Sequence, residues 1–154
     1  MRHYSLTFGA LFVGATLCSG AALACDKGST TLFNCTAQKN GKQIEVCDAD
    51  KTIHYSFGKP GKKPELAIAA KRDDVTTWQW NGVGRYMSYT VNIPNGEHLY
   101  RVFWGVDRVT EEHAVEAGVH VEKNGEQLAT VYCTEDSIEQ NLEGVDLKPE
   151  EESE

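Results

Sequence analysis

Along the middle of the chain, hydrophobic residues recur at every second position instead of every third or fourth. Ile53, Tyr55 and Phe57 alternate with Thr52, His54 and Ser56, and Met87, Tyr89, Val91 and Ile93 alternate with Tyr86, Ser88, Thr90 and Asn92. A period of two puts one set on the buried face of a strand and the other toward solvent. Leu99 to Trp104 is apolar on both faces and suits a central strand. Val119 and Val121 flank an outward His120. Asn40-Gly41, Asn95-Gly96 and Asn124-Gly125 each separate two such runs, and both residue types tolerate positive φ, so each predicts a hairpin. Gly58 to Pro64 predicts a longer, stiffer turn. Only Thr110 to Ala117 has a helical look, with Thr110 as cap, Glu111 and Glu112 in the first turn and Gly118 as stop. The expected fold is all-β: a small antiparallel β-barrel or β-sandwich of about eight or nine strands, stapled by disulfides.

The two ends depart from this pattern. Residues 1–24 have a basic start (Met1-Arg2-His3), an apolar stretch from Leu6 to Leu17, and small residues at the −3 and −1 positions of Ala22-Leu23-Ala24. That is the pattern of a signal peptide cleaved before Cys25, too short to span a membrane permanently. The protein is therefore expected to be periplasmic or secreted. A lipid anchor at Cys25 is the less favoured alternative, because Leu23 stands one place too close to it for the usual lipoprotein pattern. Residues 134–154 hold nine acids and one lysine, Lys148. They contain no aromatic residue and four large aliphatics, and the expectation is a disordered acidic tail with at most a helical turn near Ser137–Leu142. The division is thus 1–24 signal peptide, 25–133 β domain and 134–154 tail.

This changes the meaning of the net charge. The chain carries −8 in 154 residues, and the tail alone accounts for that surplus. The domain is close to neutral and shows no basic face, which argues against a nucleic-acid partner. The length leaves no room for a separate cofactor module.

Once Cys18 leaves with the signal peptide, Cys25, Cys35, Cys47 and Cys133 remain, an even set suited to two bridges in an oxidising compartment. A two-residue loop at Asn40-Gly41 pairs Cys35 with Val46 and so points Cys47 to the opposite face. Cys35–Cys133 with Cys25–Cys47 is therefore preferred, with Cys35–Cys47 and Cys25–Cys133 as a close second.

Enzymatic signatures are mostly absent: there is no G-x-S-x-G, H-E-x-x-H, P-loop or dinucleotide-binding glycine pattern. His54, His98, His113 and His120 are scattered, and the acid pairs Asp73-Asp74 and Asp48/Asp50 look like turn residues. No catalysis, cofactor or metal is expected. Two loops stand out. Trp78 to Tyr86 places aromatics on both sides of a glycine-rich turn with one arginine, the residue types that concentrate binding energy; alternatively Trp78 and Trp80 are core residues. Lys59, Lys62 and Lys63 form a concentrated positive turn, suited to an acidic partner surface or simply solvated. The candidate partner-binding residues are Asn81, Gly82, Gly84, Arg85, Tyr86, Lys59, Lys62 and Lys63.

Phe33-Asn34-Cys35, Asn40-Gly41-Lys42, Ile44-Glu45-Val46, Tyr55 and Cys133 on the terminal strand resemble the periplasmic lysozyme inhibitors of Gram-negative bacteria. Those are small exported antiparallel β proteins, many of which bridge an aromatic-x-Cys strand to a cysteine near the last strand. In the inhibitors of c-type lysozyme a Ser-Gly-Ala-Arg-Tyr loop enters the enzyme's cleft. Asn81-Gly82-Val83-Gly84-Arg85-Tyr86 is similar, with Gly82, Arg85 and Tyr86 matching, one residue inserted and Asn81 in place of the serine. The resemblance implies a protein-binding module that occludes a lysozyme and performs no chemistry. The competing classes are a periplasmic immunity or other partner-binding protein, and a small-ligand carrier with a roomy barrel interior.

Overall fold

Each alternating stretch forms a strand. In the computed structural model, which describes residues 25–151, the strands are β1 (Thr30–Thr36), β2 (Gln43–Asp48), β3 (Thr52–Gly58), β4 (Leu66–Lys71), β5 (Thr76–Gln79), β6 (Tyr86–Asn95), β7 (His98–Asp107), β8 (Val115–Lys123), β9 (Glu126–Tyr132), β10 (Glu139–Gln140) and β11 (Lys148–Pro149). The expected signal peptide lies outside the described residues. Sheet 1 runs β10-β1-β2-β3-β4 and sheet 2 runs β11-β5-β6-β7-β8-β9. All pairings are antiparallel except β11 with β5. The two sheets face each other as a sandwich and do not close into a barrel.

The core is the set of inward positions that the alternation specifies. Phe33, Ile44, Val46 and Ile53 from sheet 1 meet Val91, Ile93, Val102 and Val119 from sheet 2, all of them essentially inaccessible to solvent. β7 is an interior strand, as its two-sided apolar character requires: Val102 faces the core and Phe103 is buried on the other side.

The hairpins follow their turn chemistry with small displacements. Asn124 and Gly125 both have positive φ (50° and 81°) between the paired Lys123 and Glu126, the two-residue turn expected there. At the β6–β7 turn Asn95 pairs with His98, so the loop is Gly96-Glu97, one residue later than expected. Only its first position needs positive φ, and Gly96 supplies it at 61°. The β1–β2 turn is longer than two residues: the Ala37 N–H donates to the Lys42 carbonyl at 2.7 Å, and the Asn40 side chain accepts from the Lys42 N–H. Cys35 therefore pairs with Ile44 in place of Val46. A two-residue slip preserves parity, so Cys47 still points away from Cys35.

The bridges are Cys25–Cys47 and Cys35–Cys133, with Cα separations of 5.7 Å and 5.8 Å. The second joins β1 to the end of β9 and so links the sheets. The Cys25 sulfur that a lipid anchor would need is engaged in its bridge. Two disulfides fit a non-cytoplasmic, oxidising environment, and no helix among the described residues is long and apolar enough to cross a membrane.

Two expectations are corrected. Thr110 to Ala117 is not helical. The Asp107 carboxylate takes the N–H groups of Val109 and Thr110, His113 turns the chain at φ 45°, and Val115 already pairs with Val106 in β8. The local cap signals lose to strand pairing with β7. The segment after Cys133 is also not a loose tail over its described part, which ends at Glu151. A 3-10 turn at Glu135–Ser137 leads into β10 on the edge of sheet 1, and the chain then crosses to β11 on the edge of sheet 2. Between them Leu142 is fully buried, and Ile138, Val145 and Leu147 pack against the core. All four large aliphatics of the segment point inward, which an average over composition cannot reveal. Polar contacts complete the strap: Asn141 N–H to Leu32 O at 2.8 Å, Gln79 Nε2 to Leu142 O at 2.8 Å, and a two-pronged Arg101–Glu150 ion pair at 2.8 Å per bond.

Candidate functional site

The connection from β5 to β6 leaves sheet 2 at Trp80 and returns at Tyr86. Its tip is Val83, held between Gly82 (φ 85°) and Gly84 (φ 100°), conformations that a side chain would strain. Both backbone groups of Val83 are occupied. Its N–H donates to Asn81 Oδ1 at 3.1 Å, and its carbonyl accepts from the Trp80 indole at 2.9 Å. The isopropyl group, 75 % exposed, is left projecting into solvent. Trp80 in turn packs on the core and carries the Arg108 guanidinium over its ring at 4.5 Å.

The neighbouring β7–β8 connection braces this loop. The Arg108 N–H donates to the Arg85 carbonyl at 3.0 Å, and the Arg85 side chain bonds both oxygens of Asp107 at 3.0 Å and 2.7 Å. Arg85 and the N–H groups of Val109 and Thr110 hold the Asp107 carboxyl down at about 2, well below the usual carboxylate range. Val109 is 68 % exposed beside it in sequence, so this end of the sandwich presents two bare valines and two guanidinium groups on a hydrogen-bonded frame.

The expected loop residues do not all lie at that tip. Asn81, Gly82, Gly84 and Arg85 do. Tyr86 lies back over sheet 2, where a Cβ on Gly105 would fall 2.5 Å from its ring and hydroxyl. Its hydroxyl donates to Glu116 at 3.3 Å, and partial burial plus that carboxylate push it up to about 12. Trp80 and Trp78 divide the two sequence alternatives: Trp80 packs on the core, whereas Trp78 is exposed on the outer face of sheet 2.

Lys59, Lys62 and Lys63 sit on the β3–β4 connection of the other sheet, all exposed. Among the described residues, no hydrogen bond or ion pair joins them to the arginine loop. Lys59 and Lys62 instead edge a hollow of about 640 Å³ on the outer face of sheet 1, whose floor includes Glu45, His54 and Ser56, and which Lys63 does not line. Burial, and then the charges of Asp26 and Glu139, raise the Glu45 carboxyl. Cys25, Glu45 and Cys47 come together there, but both sulfurs are consumed in one bridge and offer no thiolate to a metal.

The residues that sequence reasoning missed are Val83, Asp107, Arg108 and Val109. Val83 carried a signal, an apolar residue between two glycines; the bracing from the β7–β8 connection had none, because it depends on the register that pairs Tyr86 with Asp107. The space between the sheets is occupied by core side chains, without the barrel interior of a small-ligand carrier. No protein-family model, no curated protein and no solved structure matches this chain.

Proposed function

We propose that this protein is an exported protein-binding module that acts by occlusion, inserting the Val83 loop into a groove of its partner, and that the partner is a lysozyme. The observation that carries the proposal is the pinned tip: an exposed valine whose own N–H and carbonyl are already satisfied, with Arg85 at its base. Such a loop loses little conformational entropy on binding, since it is ordered beforehand. Arg85 remains 61 % exposed despite its ion pair with Asp107, so it stays open to a carboxylate in the partner's groove. Glycan-cleaving enzymes keep carboxylates in such grooves. The surplus negative charge of the chain favours encounter with a cationic partner.

The likeness of Asn81 to Tyr86 to the inhibitor loop supports the same reading, with one residue inserted and Tyr86 outside the tip. Titration of the purified protein against c-, g- and i-type lysozymes tests it. Stoichiometric inhibition of at least one type is expected, weakened on the order of tenfold or more by Val83→Asp or Arg85→Ala. Failure to inhibit any of the three refutes the proposal.

A further inference from the structure

The outer face of sheet 2 holds a depression of about 260 Å³ that occlusion by the loop does not use. Register puts Phe103, Gly118 and Tyr132 in one row across β7, β8 and β9, on the side away from the core. Gly118 bears no side chain, so Tyr132 reaches across it and meets the Phe103 ring edge-on at 6.1 Å. Phe103 is buried, with His120 stacked on it at 4.3 Å, and forms the floor. Tyr86 forms a wall, its ring lying over Gly105, where a Cβ would fall 2.5 Å away. Both tyrosines keep much of their rings open to a ligand, at 42 % exposure for Tyr86 and 43 % for Tyr132.

The charge around these rings is negative. Glu116 lines the depression and is exposed. Among the described residues it has no cationic partner, only a long bond from the Tyr86 hydroxyl at 3.3 Å. Arg101, the one cation lining the depression, is taken by Glu122 at 3.1 Å and by Glu150 at 2.8 Å. Burial lowers the His120 imidazole below its ordinary value, so it adds no positive charge at neutral pH. One cation thus stands against three carboxylates, and the face attracts positive charge. The volume lies below the roughly 300–1,000 Å³ of sites that enclose a whole small molecule, and suits a single side chain.

From this charge complementarity and aromatic lining we infer that the depression receives an arginine side chain of a polypeptide partner. A guanidinium is planar and weakly hydrated, so it lies on an aromatic face while its N–H groups donate in their own plane. The site offers both at once, since the bond from the Tyr86 hydroxyl to Glu116 holds a carboxylate at the edge of that ring. The molecule already uses the same pairing within itself, where the Arg108 guanidinium lies over Trp80 at 4.5 Å. A lysine ammonium is a more strongly hydrated point charge and gains less from the rings. Free arginine brings its own carboxylate, which the surrounding acids repel, so a side chain within a peptide is the better fit.

The test is NMR titration of the full protein with a glycine-arginine-glycine peptide whose ends are blocked. Its lysine and citrulline counterparts and free arginine serve as comparison ligands. Saturable shifts at Phe103, Glu116 and Tyr132 are expected for the arginine peptide, with a Kd of roughly 1–10 mM. Citrulline keeps the shape without the charge and should bind at least about tenfold more weakly. Tyr132→Leu or Glu116→Gln should weaken the arginine peptide about three- to tenfold. Tyr132→Phe keeps the ring and should retain affinity, which separates stacking from misfolding. No saturable shift up to about 50 mM overturns the inference. So does equal binding of the citrulline peptide, which would make the site one for neutral ligands. Lysine peptide or free arginine bound as tightly as the arginine peptide overturns it too. No lysozyme enters the experiment, so its outcome is independent of the Val83 loop.

Discussion

Leu142→Ala tests whether the acidic strap belongs to the fold. Leu142 is fully buried between the sheets, yet it comes from a segment with nine acids. Buried Leu→Ala changes cost about 2–5 kcal/mol, the upper part applying where the surroundings cannot relax into the space. Here the backbone is held on both sides, by Asn141 N–H to Leu32 O and by Gln79 Nε2 to Leu142 O, each at 2.8 Å. Roughly 3–4 kcal/mol is therefore expected, or about 10–15 °C in Tm for a domain of this size. Urea unfolding of the oxidised protein measures it: the midpoint should fall while the slope stays unchanged. Asp146→Ala, an exposed change in the same strap, should stay within about 0.5 kcal/mol. Amide exchange at Asn141 reports whether the strap opens alone. A cost under about 1 kcal/mol with an unprotected Asn141 amide would show that the strap is not part of the cooperative structure, and the reasoning would be wrong.

Three further outcomes follow from the geometry. The Asp107 carboxyl, held near 2 by Arg85, should titrate by NMR close to that value, and Arg85→Ala should move it up toward the ordinary range. Because the folded value is depressed, the order it gives the loop is present above the usual carboxylate range and is lost as pH falls toward 2. Replacing Cys35 and Cys133 by serine should destabilise more than replacing Cys25 and Cys47, since the bridges span 98 and 22 residues; chain-entropy estimates are about 4–5 and 3 kcal/mol, read by calorimetry. Gly105→Ala should displace the Tyr86 ring and return its phenol from about 12 toward 10, visible by ultraviolet titration; an unchanged titration would contradict the placement of the ring.

How much was legible in the sequence depended on whether a feature was local. Alternation around Tyr55 and Val91 specified strand faces, because side-chain parity is intrinsic to a strand. The cysteine pairing survived a wrong turn length at Asn40-Gly41 for the same reason: a slip of two residues leaves every side chain on its face. What failed were inferences that averaged or that lacked a partner. Counting acids hid Leu142, Val145 and Leu147, whose inward positions are fixed by edges of two sheets far away in sequence. Thr110 looked like a cap only while Asp107 and the β7–β8 pairing were unknown. At the candidate site the glycines and Arg85 were visible, whereas the bracing by Asp107 and Arg108, and the withdrawal of Tyr86 onto Gly105, depend on register between strands.

The strap also settles what one margin of each sheet can do, those of β1 and β5. Without it, β1 and β5 would each present a bare row of backbone donors and acceptors to any passing strand. With it, those margins end in Glu139-Gln140 and Lys148-Pro149, two residues each, bearing a charge or lacking an N–H. Neither offers a template on which a foreign chain can continue the sheet. A protease that nicked the strap would therefore do more than soften the molecule: it would uncover two adhesive margins at once, and clumping should precede unfolding.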